Sequence, residues 1–96
     1  MAFKVRFDAR AKRELDKLND GDRKSIIGEI QLLEDDASPP SSKELGGELG
    51  GFWRLRAKSV RAIYEPPDAS GTIWVRAIGY RRSLYDDFNQ RQPSDD

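Results

Sequence analysis

About a third of the way along the chain the spacing of its apolar residues changes period. Up to Leu33 they recur every three to four positions: Ala11, Leu15 and Leu18, then Ile26, Ile30 and Leu33, with Ile27 widening the second stripe. That repeat belongs to helices with one buried face. From Phe52 onward they alternate instead. In "FWRLRA" Trp53, Leu55 and Ala57 stand against Phe52, Arg54 and Arg56; in "VRAIYE" Val60, Ala62 and Tyr64 stand against Arg61, Ile63 and Glu65. Alternation is the signature of a strand with two different faces. Between the two halves, Pro39 and Pro40 forbid continuation of a helix. A chain that passes from helices to a run of strands reads as α+β.

Local signals fill in the order. "FKVRF" is a short strand with Phe3, Val5 and Phe7 on one side and Lys4 and Arg6 on the other. Asp8 is a good helix N-cap, "NDGD" breaks the first helix, and Asp22 can cap the second. The short break makes the two helices an antiparallel hairpin. "ELGGELGG" has the glycine content of a phosphate-cradling loop, but such loops join a strand to a helix. Here the segment leads from a helix to a strand, so it reads as a flexible approach to the sheet. "KS" is a tight connection, "PPDASG" is turn chemistry, and "TIWVRAIGY" is long and apolar enough for a central strand. The expected fold is an N-terminal strand and helical hairpin packed on one face of a twisted antiparallel sheet. Residues 1–88 form one domain and residues 89–96 a disordered tail.

The 96 residues suit a single core. With no cysteine and no histidine, disulfides, thiolate metal sites and the usual neutral-pH base are all missing. No cofactor or metal is expected. No apolar run approaches membrane-spanning length and "MAFKVRFDAR" lacks a signal-peptide core, so a cytoplasmic protein without membrane contact is expected. Lysine and arginine balance aspartate and glutamate at 17 each, but unevenly. Residues 52–85 carry 7 basic against 2 acidic side chains, between flanks in which acidic residues prevail. Such a basic segment suits a polyanion.

Period two puts Arg54, Arg56 and Arg61 on the sheet face away from the helices. Solvent-facing arginines are ordinary there. Three of them at neighbouring positions repel one another, however, and their clustering points to an anion whose oxygens match the guanidinium fork. Arg81 and Arg82 end the last strand and Tyr85 follows four residues after Arg81. A tyrosine there can be a plain core aromatic. Among positive charges a phenol is favoured as phenolate, which makes tyrosine a credible general base where histidine is missing.

Three segments in this order, "KEL…GGFWRLR", "VRAIYE" and "RAIGYRRSLYDDF", resemble the RelE/ParE superfamily of bacterial toxins from about residue 3 to residue 88. The resemblance implies the same α+β fold. Its RelE-like branch implies a ribosome-dependent endoribonuclease that cuts messenger RNA in the ribosomal A site without a metal, and a cognate antitoxin as partner. Carried over by position, Arg54 and Arg56 would hold the scissile phosphate and Arg61 would stabilise transition-state charge. Arg81 would assist the leaving 5′-oxygen, and Tyr85 would take the 2′-hydroxyl proton. Lys58, Arg82 and Tyr80 complete the implied RNA-binding set. Arg54 and Arg56 stand where many members carry lysine, so their role is electrostatic. Tyr80 stands where many carry histidine, so an acid–base role at that position does not transfer. Two other functions fit the same scaffold: a ParE-like, non-enzymatic inhibitor of DNA gyrase, and an inactive member whose arginines only grip the antitoxin.

Overall fold

The computed structural model describes residues 2–80 together with Leu84, Tyr85 and Phe88. Strand β1 (Lys4–Phe7) leads into helices α1 (Ala9–Lys17) and α2 (Asp20–Leu32). Strand β2 (Ser42–Glu44), a 3-10 turn at Gly47–Leu49, and strands β3 (Trp53–Ala57), β4 (Val60–Tyr64) and β5 (Thr72–Tyr80) follow. The sheet order is β1-β5-β4-β3-β2. Four strands are antiparallel neighbours, as the alternation predicts, but β1 lies parallel to β5, so the sheet is mixed. The hairpin of helices carries the chain back across the sheet between β1 and the rest, which leaves β1 free to join β5 in parallel. The longest strand, β5, is second from the edge; the central place goes to β4, all of whose residues are buried.

Asp8 caps α1, its Oδ1 accepting the Ala11 N–H at 2.9 Å. The cap of α2 is Asn19 rather than Asp22: the Asn19 side chain accepts the Asp22 N–H at 2.8 Å. The helix begins at Asp20, six residues before Ile26 opens the apolar stripe, and Asp22 sits within its first turn, where its charge suits the helix N-terminus.

The helical stripes pack on one face of the sheet. Ala11, Leu15, Leu18, Ile26, Ile30 and Leu33 meet Leu55, Val60, Ala62, Tyr64, Ile73, Val75 and Ile78 in the main core. The Tyr64 hydroxyl donates to the Ala37 carbonyl at 2.8 Å and ties the central strand to the loop after α2. Beyond Val75 the outer edge of β5 is not paired to β1. There Glu14 of α1 accepts the Ile78 N–H at 3.1 Å, covering part of an exposed edge.

The face away from the helices is not fully open. Ile63 and Ala77 are buried there beneath Leu84 and Phe88, with Leu45, Leu49, Phe52 and Tyr85 around them. Phe52 meets Phe88 edge-to-face at 5.0 Å between centroids. The glycine-rich segment supplies Leu45 and Leu49 to this second cluster and joins β2 to β3 through Gly47 and Gly51, both at positive φ (61° and 94°). Burying each large side chain here contributes about 1.5–3 kcal/mol. The expected tail, residues 89–96, lies outside the described residues.

Candidate nucleic-acid interface

Strand register sets which side chains share a face. Arg54 pairs with Ile63, Arg56 with Arg61, and Lys43 of β2 with Arg54. Arg61 in turn lies opposite Gly79, and Ile63 opposite Ala77. Directly opposed residues point to the same side of a sheet. Lys43, Arg54, Arg56 and Arg61 therefore occupy the face of Ile63 and Ala77, away from the helices. The period-two assignment of the three arginines agrees with this placement.

The β3–β4 hairpin organises two of these guanidinium groups around one atom. Lys58 adopts a left-handed backbone (φ 57°) in the two-residue turn, a conformation few non-glycine residues take. Its carbonyl oxygen accepts Arg61 Nη1 at 2.9 Å and lies 3.5 Å from Arg56 Nε. Arg61 is only 8% exposed, so its guanidinium is desolvated and fixed, whereas Arg56 and the Lys58 side chain are exposed. Arg54, half-buried, reaches the Ser41 carbonyl at 3.5 Å. None of the ion pairs among the described residues involves Lys43, Arg54 or Arg56. Arg76 on β5 differs: Glu65 holds it at 2.5 Å, Asp8 lies 3.7 Å away, and its guanidinium sits 5.1 Å from the centre of the Trp74 ring. That cation is paired within the fold, whereas no ion pair among the described residues reaches Lys43, Arg54 or Arg56.

Tyr85 lies on the same face as the arginines. It packs half-buried against the cluster of Ile63, Ala77, Leu84 and Phe88. Its neighbour Leu84 covers Gly79, the cross-strand partner of Arg61, so closely that a Cβ at Gly79 would meet Leu84 Cδ1 at 3.3 Å. The strand register and this contact bring Arg54, Arg56, Arg61 and Tyr85 to one side of the sheet.

Tyr80 does not join them. Its register partner is Val60, which faces the helices. Its hydroxyl donates to Asp22 Oδ2 of α2 at 2.6 Å. That hydrogen bond, with a smaller contribution from desolvation, pushes the Tyr80 phenol above the ordinary tyrosine range. One position of alternation thus separates Tyr80 from the Arg61 face. Arg81 and Arg82 lie outside the described residues. Lys43 is the basic residue that sequence reasoning missed; "SSKEL" gives a three-residue polar strand no apolar alternation to detect. Among the described residues there is no group of three or more potential metal-ligating side chains.

A helical hairpin on one side of a five-stranded sheet, with basic side chains gathered on the other, defines an α+β domain of the RelE-like kind. The same fold recurs in the RelBE2 toxin–antitoxin complex of Mycobacterium tuberculosis (TM-score 0.73, 24% identity, 84% of this chain and 100% of that one). It recurs in a mutant RelE toxin of E. coli in the free state (TM-score 0.76, 21% identity, 97% and 100%). A YoeB/ParE toxin from Agrobacterium tumefaciens is also similar (TM-score 0.70, 14% identity, 82% and 99%). No curated protein matches the chain. The family model described as ParE toxin of type II toxin–antitoxin system, parDE, matches residues 5–85. The chain belongs to this toxin family, within the RelE/ParE superfamily.

Proposed function

We propose that the chain is a cytoplasmic toxin that inhibits translation as a ribosome-dependent messenger-RNA endoribonuclease. One observation carries this reading: Arg54, Arg56, Arg61 and Tyr85 share the sheet face away from the helices. Phosphoryl transfer asks a protein mainly for positioning and charge stabilisation, and fixed cations supply both. In the proposed reaction the 2′-oxygen attacks phosphorus while the bond to the 5′-oxygen breaks. Tyr85, as general base, takes the 2′-hydroxyl proton, and Arg81 assists the departing 5′-oxygen. The products are a 2′,3′-cyclic phosphate and a 5′-hydroxyl end. Arg54 and Arg56 hold the phosphate; Arg61, buried and anchored on the Lys58 carbonyl, meets the charge that grows on its oxygens. Lys58 and Arg82 add contacts to the RNA.

A cognate antitoxin is the expected partner, as two RelBE toxin–antitoxin complexes of similar fold contain one. An antitoxin segment of alternating acidic and apolar residues suits the free edge of β1. Beside that edge a groove of about 230 Å³ is lined by Val5, Phe7, Leu15, Ile27 and Ile30.

The test is primer extension on translating ribosomes. Wild type cuts at codon-positioned sites. Arg61→Ala lowers the cleavage rate by about 10²–10³, and Tyr85→Phe folds normally but loses most cleavage. Undiminished cleavage by Tyr85→Phe removes Tyr85 from the mechanism. The match to the ParE toxin model favours a second reading, a non-enzymatic gyrase inhibitor. Intact messages together with arrested supercoiling by gyrase decide for it.

A further inference from the structure

The face of β2, β3 and β4 away from the helices carries two rows of directly opposed like charges. Lys43 faces Arg54 across β2 and β3, and Arg56 faces Arg61 across β3 and β4. Like charges directly opposite destabilise a sheet, and no ion pair among the described residues offsets the repulsion for Lys43, Arg54 and Arg56. The acidic residue beside Lys43 does not help, because Glu44 is in register with Trp53 and faces the other way. Ser42 likewise pairs with Leu55. Lys43 is thus the β2 residue that turns to the cationic face, and it is exposed.

The rows are two residues apart along β3, about 7 Å, and strands within a row are about 4.8 Å apart. Each row can close around one anionic group, and the second row lies along the strand from the first. A linear polyanion with regularly spaced, forked oxygens fits this layout, and an extended RNA strand has that form. We propose that Lys43 holds the phosphate next to the scissile one, with Arg54 shared between the two, so that β2 forms a flanking RNA subsite. This rests on the nuclease reading and adds a residue and a direction to it: the bound strand continues across β3 toward the sheet edge at β2. The continuity of this row with the Ile63 cluster against which Tyr85 packs favours RNA over an acidic peptide.

The experiment titrates the full chain with a fluorescein-labelled RNA dodecamer, 2′-O-methylated so that the attacking hydroxyl is blocked. Affinity is measured by anisotropy over a range of KCl concentrations. A lost phosphate contact flattens the slope of log K against log salt by about 0.7 for a single strand. Lys43→Ala is expected to flatten it by that amount, and Lys43→Arg to restore it. Lys24→Ala, which removes one exposed charge from α2, leaves the slope unchanged. In ribosomal cleavage the effect of Lys43→Ala falls on KM rather than on kcat. A wild-type slope for Lys43→Ala beside a flattened slope for Arg56→Ala overturns the subsite and leaves the nuclease reading standing. Wild-type slopes for Lys43→Ala, Arg56→Ala and Arg61→Ala together overturn both. Weakened antitoxin binding by Lys43→Ala with RNA affinity intact assigns the row to the protein partner and also overturns the subsite.

Discussion

Arg61 and Tyr64 are three residues apart on the central strand, and alternation sends them to opposite sides with opposite tasks. Arg61 is buried on the face away from the helices and donates to the Lys58 carbonyl. Tyr64 is wholly buried among the helices and donates to the Ala37 carbonyl. Burial is the main cause that raises its phenol above the ordinary tyrosine range. The fold therefore favours the protonated phenol. Its contribution is complete below pH about 10 and declines as pH rises through that value, because the unfolded chain then loses a proton that the fold retains. Tyr64→Phe is expected to cost about 1 kcal/mol at neutral pH through the lost hydrogen bond. It is also expected to flatten the alkaline fall in stability, measured as the urea midpoint at pH values from about 8 to 11. A fall as steep as that of wild type contradicts this. At this scale the sequence was most legible where a side chain's direction follows from period two: Arg54, Arg56 and Arg61 lie where alternation predicts. It was least legible where a single position of register matters, as at Tyr80, whose distance from a strand end gives no sign of which neighbour it opposes.

At the scale of elements, both helices and the three long strands were visible because each pairs a regular apolar repeat with a capping or turn signal. The second cluster was hidden because its parts come from places with no common period. Phe52 precedes β3, Leu45 and Leu49 flank glycines, and Leu84 and Phe88 follow β5. Gly79 is the contact on which this covering segment rests. Gly79→Val should push against Leu84 and destabilise the fold by about 1–3 kcal/mol, with Leu84→Ala relieving part of that cost in a double-mutant cycle measured by urea unfolding. Additive effects show that Leu84 does not pack on Gly79. The cap of α2 was misplaced in the sequence because Asn19, Asp20 and Asp22 are all good capping residues, and only the backbone distinguishes them. Asn19→Ala is expected to cost about 1 kcal/mol, seen in the same unfolding assay; an unchanged midpoint contradicts the assignment.

Over the whole molecule, charge is sorted by layer more than by segment. One side of the sheet is sealed by helices, and the other combines an apolar patch with a corner of basic side chains. The parallel placement of β1 was not legible, because strand direction depends on the path of the helical hairpin and not on any residue of "FKVRF". Membership of the toxin family rests on the match across residues 5–85; the proposed chemistry rests on what the cationic corner and Tyr85 can do together. Analysis of the ends of messages cut on ribosomes translating in the presence of the wild-type chain tests that chemistry most directly. The account predicts a 5′-hydroxyl on one fragment and a cyclic or opened 3′-phosphate on the other. Fragments ending in 5′-phosphate and 3′-hydroxyl, or messages left whole, contradict it.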